Sequence, residues 1–260
     1  MTGDEAISPV RALRPVPPPA RGEHTSTPEG LHVDLEAGGV EVLVRVSPEG
    51  RKHDNLIVLG DPHDGTAEAL AELLPEAHLI APSVGDLGGR HRKAPGIRAS
   101  SERAVVQLMD HFAIERAVFV GTERGADLAV AVAAHHPDRV GALVLVNGGL
   151  GEAPAAEASP TDGAEARDAL SGLRVPVALL FGGAGAESRG YTPASVRSTT
   201  SWLRHVDAQE VEVGDDGVFE TPALAAVADI VQTQLASVRA RAAHPATGSH
   251  RIIAPADDES

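Results

Sequence analysis

The segment Val118-Phe119-Val120-Gly121-Thr122-Glu123-Arg124-Gly125-Ala126-Asp127-Leu128-Ala129-Val130-Ala131 restricts the fold of this chain more than any other. An apolar run with a β-branched and aromatic bias stops at Gly121. From Gly125 an alanine-rich run follows with helical spacing. A change of period within so few residues predicts a strand, a tight turn and a helix. The glycines leave no side chain at the shoulders of the turn, where strand and helix come close. Between them stands Glu123.

The rest of the chain repeats strand and helix in alternation. Residues 1–29, with Pro15-Val16-Pro17-Pro18-Pro19, predict a solvated, disordered arm. Residues 31–36 and 40–46 alternate apolar and polar around Ala37-Gly38-Gly39, the pattern of a β-hairpin. Leu56–Gly60, His78–Pro82, Ala142–Asn147 and Val175–Gly182 are short apolar runs, as strands covered on both faces require. Helices are expected at Ala67–Leu74, at Ser100–Phe112 with Ser100-Ser101-Glu102 as its capping residues, and at 194–205 and 223–239. Val211–Gly214 reads as the last strand, Ser83 as a loop residue, Trp202 as a packing residue on its helix, and His135-His136 as C-terminal capping of the helix after Glu123. The composition turns polar and acidic after Arg241, so 241–260 is expected to be a disordered tail around a single domain at 30–240. The 42% apolar composition suits a sizeable core at this length. The alternation implies an α/β fold, a mostly parallel sheet with helices on both faces.

The turn Gly121-x-Glu123-x-Gly125 resembles the nucleophile elbow of the α/β-hydrolase family. The resemblance covers roughly residues 31–239 and rests on four further stretches. These are Leu56–Gly60 running into a glycine-bearing loop, Leu79-Ile80-Ala81-Pro82-Ser83-Val84-Gly85-Asp86-Leu87-Gly88, His136-Pro137-Asp138-Arg139-Val140 before Ala142–Asn147, and Glu220-Thr221-Pro222 before the last helix. It implies an α/β-hydrolase core. Hydrolysis in that family uses a nucleophile on the elbow, an acid after a late strand and a histidine after the last strand. Here the elbow holds Glu123, and no Gly-x-Ser-x-Gly occurs. Gly182 to Ala186 contains no carboxylate, so Glu187 is the nearest acid. Asp215 and Asp216 stand where the histidine would fall, and no histidine occurs between His205 and His244. One oxyanion donor would be the backbone N–H of Arg124. The other would come from the Gly60–Gly65 loop beside Asp61, on Pro62 in one register, which has no N–H, or on His63 in the other. Only about 25 residues stand where the family places its lid, so the cap domain is almost absent.

A formal net charge of −15 disfavours nucleic acid and anionic membrane surfaces as partners. Without cysteine there is no disulfide, thiolate chemistry or thiolate-bound zinc. Asp61, His63 and Asp64 beside Glu123 follow no recognised ligand spacing, and the glycines do not match Gly-x-Gly-x-x-Gly, so neither metal nor cofactor is expected. The chain shows no apolar leader and no bilayer-length apolar run, which fits a cytoplasmic protein. With its triad departing from the family's, the chain reads as a non-hydrolytic binding or auxiliary protein, taking a small molecule or protein partner at its uncapped face. An acidic rim of Asp61, Asp64, Glu123, Asp215 and Asp216 would favour a cationic ligand. The alternative is an enzyme that uses Glu123 as general acid or base, or as a carboxylate nucleophile of the kind the family's dehalogenases and epoxide hydrolases make of aspartate. A third reading is a structural subunit whose partner covers the lidless face.

Overall fold

The structure, a computed structural model, describes residues 29–35, 38–46, 54–60, 65–83, 97–149, 171–182, 193–200, 206–210 and 221–243. Its centre is one eight-stranded sheet in the order β1-β2-β4-β3-β5-β6-β7-β8. The hairpin β1 (Glu29–Leu35) and β2 (Gly38–Arg45) forms one edge, and β2 runs antiparallel to β4 (His78–Pro82). The remaining neighbours, β3 (Asn55–Leu59), β5 (Ala117–Thr122), β6 (Val140–Val146), β7 (Val177–Phe181) and β8 (Val206–Glu210), pair in parallel.

Strand periodicity divides the apolar residues into two cores. Ile57, Leu59, Phe119, Leu143 and Leu179 face one side, under α2 (Ile97–His111) and α3 (Arg124–His135). Leu56, Val58, Val120, Val144 and Leu180 face the other, under α1 (Thr66–Leu73) and α5 (Thr221–Ala243). A short helix, α4 (Pro193–Thr200), lies between β7 and β8 in sequence and adds Val196 to the first core. Each buried aliphatic or aromatic side chain contributes about 1.5–3 kcal/mol, which explains why the central strands are apolar on both faces. Among the described residues no helix is long and apolar enough to cross a membrane.

Several expectations shift. Helix α2 starts at Ile97, so Ser100-Ser101-Glu102 lies within it and does not cap it. Ser101 and Glu102 are buried, and the Glu102 carboxylate is hydrogen-bonded to His135 Nδ1 at 2.6 Å. His135 therefore reaches across to α2, while His136 is the C-cap of its helix, with its N–H donated to the Val132 carbonyl. Ser83 is no loop residue: it is buried, bridges to Gly60, and donates its N–H to the Glu41 carbonyl. Among the described residues the last strand is Val206–Glu210, and the expected strand Val211–Gly214 lies outside them, as does Trp202. Helix α5 overruns 223–239 at both ends and passes the expected boundary at 240. The arm before Glu29 and the tail after Ala243 lie outside the described residues.

Charged groups are buried at the N-terminal ends of the parallel strands. Arg45 donates to the carbonyls of Ala71 (2.5 Å), Leu74 and Ala77 (2.8 Å), so a cation closes the C-terminal end of α1. Burial holds its guanidinium below the usual arginine range. Asp54, almost wholly buried, meets Arg239 of α5 at 2.5 Å. The neighbouring His78 imidazole is pushed below its ordinary value, first by burial and then by the Arg45 charge.

Candidate functional site

The opposite ends of the strands carry the site. Strand β5 ends at Thr122, α3 begins at Arg124, and Glu123 between them has φ 46° and ψ −110°. Holding a non-glycine residue there costs about 1–3 kcal/mol and requires surroundings that leave no alternative. Those surroundings are visible. A Cβ at Gly121 would lie 2.5 Å from Ala126 Cα, and one at Gly125 only 1.9 Å from the Leu59 carbonyl oxygen. Glycine at both shoulders lets α3 start directly against β3 and β5. The Glu123 N–H donates to the Val146 carbonyl at 2.8 Å, and its own carbonyl accepts from the Ala126 N–H at 3.2 Å.

The side chains of Glu123 and Arg124 are both exposed. Arg124 opens α3, so its N–H has no carbonyl one turn back within the helix. Glu123 thus stands at the N-cap of α3, the positive end of the helix, with no hydrogen bond from its side chain to the helix N–H groups. The reading of Glu123 as general acid or base expects a closed apolar pocket around it, whereas among the described residues its side chain is exposed. Asp61, Pro62, His63, Asp64, Glu187, Asp215 and Asp216 lie outside the described residues. Among the described residues no three His, Asp or Glu side chains converge on a metal-sized site.

Sequence reasoning missed a second group that the fold brings to the elbow. Strand β6 leaves the sheet through Asn147-Gly148-Gly149, with φ 50° at Asn147 and 89° at Gly149. The Asn147 side chain pairs with the Gly182 backbone in both directions: Nδ2 donates to the Gly182 carbonyl (3.1 Å), and Oδ1 accepts from the Gly182 N–H (3.0 Å). A Cβ on Gly148 would come within 2.1 Å of the Glu123 carbonyl oxygen. The Gly149 N–H donates to Asp127 Oδ1 at 2.9 Å, and Asp127 lies one helical turn beyond Glu123. An Asn-Gly-Gly directly after an apolar strand is a turn signal, but it does not name its partners.

No family model matches the chain. It is similar to two curated proteins, both named 2-hydroxy-6-oxononadienedioate/2-hydroxy-6-oxononatrienedioate hydrolase. That of Burkholderia vietnamiensis is 40% identical over 161 residues, 56% of this chain and 54% of the relative. That of Paraburkholderia phymatum is 29% identical over 150 residues, 54% of this chain and 52% of the relative. The chain spans about half the length of these relatives. Among solved structures, a haloalkane dehalogenase loop variant from Bradyrhizobium elkanii superposes with a TM-score of 0.60 over 84% of this chain and 99% of that one, at 15% identity. The fold is that of the α/β-hydrolases. Within the α/β-hydrolase fold Glu123 stands at the elbow, as the resemblance implies. The relatives' names correct the expectation of a non-hydrolytic binding or auxiliary protein, because both are hydrolases. That expectation rested on an elbow without serine, although the strained turn still presents a carboxylate.

Proposed function

We propose that this chain is a hydrolase that works through Glu123 without a Ser–His–Asp triad. The observation that carries the reading is the Glu123 backbone, held at φ 46° with an exposed carboxylate at the N-terminus of α3. The hydrolase names of the relatives support it.

The chemistry follows from what stands at the turn. Direct attack by Glu123 on an acyl group would leave a covalent intermediate, and the chain has no histidine between His205 and His244 to activate the water that must break it down. General-base catalysis needs no such partner. The Glu123 carboxylate takes a proton from a water as that water's oxygen attacks the substrate carbonyl, and the Arg124 N–H donates to the oxyanion. Collapse then breaks the bond to the leaving oxygen or sulfur, which receives the proton from Glu123. Glutamate is one methylene longer than aspartate, and its reach leaves room for that water.

The test is turnover of chromogenic esters and thioesters by the parent and by Glu123→Gln. The expected result is parent turnover that falls about 100-fold or more in the variant. Equal rates in the two proteins, or none in either, would overturn the proposal.

A further inference from the structure

We infer that Asp127 and the Asn147-Gly148-Gly149 segment form a brace that holds Glu123 in its working conformation, with Asp127 as the positioning residue; this rests on the function proposed above. Glu123 lies where a non-glycine backbone does not rest unaided. Its N–H is bonded to Val146, the last residue of β6, and its carbonyl is in contact with Gly148, two residues later. The chain between those contacts cannot shift without moving the Glu123 peptide.

Both ends of this short segment are tied. Asn147 pairs with Gly182 at the end of β7 through its side chain, and its own N–H donates to the Leu180 carbonyl at 2.9 Å. Gly149 is bonded through its N–H to Asp127, in the first turn of the helix that Glu123 begins. Asp127 therefore closes a ring: elbow, α3, Gly149, Gly148 and back to the Glu123 carbonyl. Small displacements of a reacting group cost rate out of proportion to their size, which makes such a ring matter for catalysis beyond stability.

The closing experiment uses the full chain and compares the parent with Asp127→Ala and Asp127→Asn. Asparagine keeps an Oδ1 acceptor for the Gly149 N–H and removes only the charge. Three quantities are read: kcat and KM on the ester panel, and hydrogen exchange at the Glu123 amide. Asp127→Ala should lower kcat about tenfold or more with KM changed less than about twofold, and should speed Glu123 exchange by about tenfold. Asp127→Asn should restore both. Unchanged Glu123 exchange in Asp127→Ala, or failure of asparagine to restore it, would overturn the brace. If the parent shows no turnover, the proposed function fails, and the exchange comparison alone upholds or overturns the brace.

Discussion

The two ends of the parallel strands treat ionisable groups in opposite ways. At the N-terminal end Arg45 and Asp54 are buried and partnered, by three carbonyls and by Arg239, beside a His78 that burial keeps uncharged more readily. At the C-terminal end Glu123 and Arg124 are exposed on a strained turn packed with glycine. Buried, partnered charges fix elements in place, and breaking one such pair is expensive. An exposed carboxylate on a strained backbone adds nothing comparable to stability, so its persistence there points to use. One end holds the molecule together, and the other carries the strained turn on which the proposed chemistry rests.

Substitutions can break this contrast in order of size. Gly125→Ala should be the most damaging, at roughly 3 kcal/mol or more, because the new methyl would overlap the Leu59 carbonyl. Urea unfolding would show it, and a loss below about 1 kcal/mol would mean that α3 does not approach β3 so closely. Arg239→Met comes next, stranding the Asp54 carboxylate at a cost of about 2–3 kcal/mol, a figure lowered because Arg239 is 30% exposed. Adding Asp54→Asn should recover part of that loss; no recovery in the double variant would show that the two charges do not depend on each other.

At the other end the sign should reverse. Glu123→Gly relieves the positive φ and should raise stability by about 1 kcal/mol while abolishing turnover. A lower melting temperature would show that the elbow is not strained. The smallest effect is one of pH. His78 has a folded pKa below its unfolded value of about 6.5, so above that pH both states are neutral and the group contributes nothing. As pH falls below it, the unfolded chain takes up the proton first and stability drops. The exposed His32, raised mainly by its hydrogen bond to Glu41, works the other way: its contribution is present below its unfolded pKa and is lost as pH rises through the folded one. Melting temperatures between pH 7.5 and 5.5 should fall less for His78→Gln than for the parent, and parallel curves would remove His78 from the account.

The sequence by itself determined the order of strands and helices, because a change from period 2 to helical spacing is local and apolar runs of strand length have few other uses. It also determined the elbow: glycines two residues to either side of Glu123 leave a tight turn as the economical arrangement. Local chemistry misled at Ser100-Ser101-Glu102, where capping residues lie inside a helix that starts earlier and whose Glu102 is claimed by His135 of α3. Only the tertiary structure decided which polar groups meet at the elbow. Asp127 meets Gly149, Gly148 meets the Glu123 carbonyl, and Asn147 meets Gly182 because β5, β6 and β7 lie side by side in the sheet. Periodicity reports which face of an element is buried. It cannot report which distant backbone group a polar side chain will find there, since that depends on strand order and register, and these are set by the whole sheet.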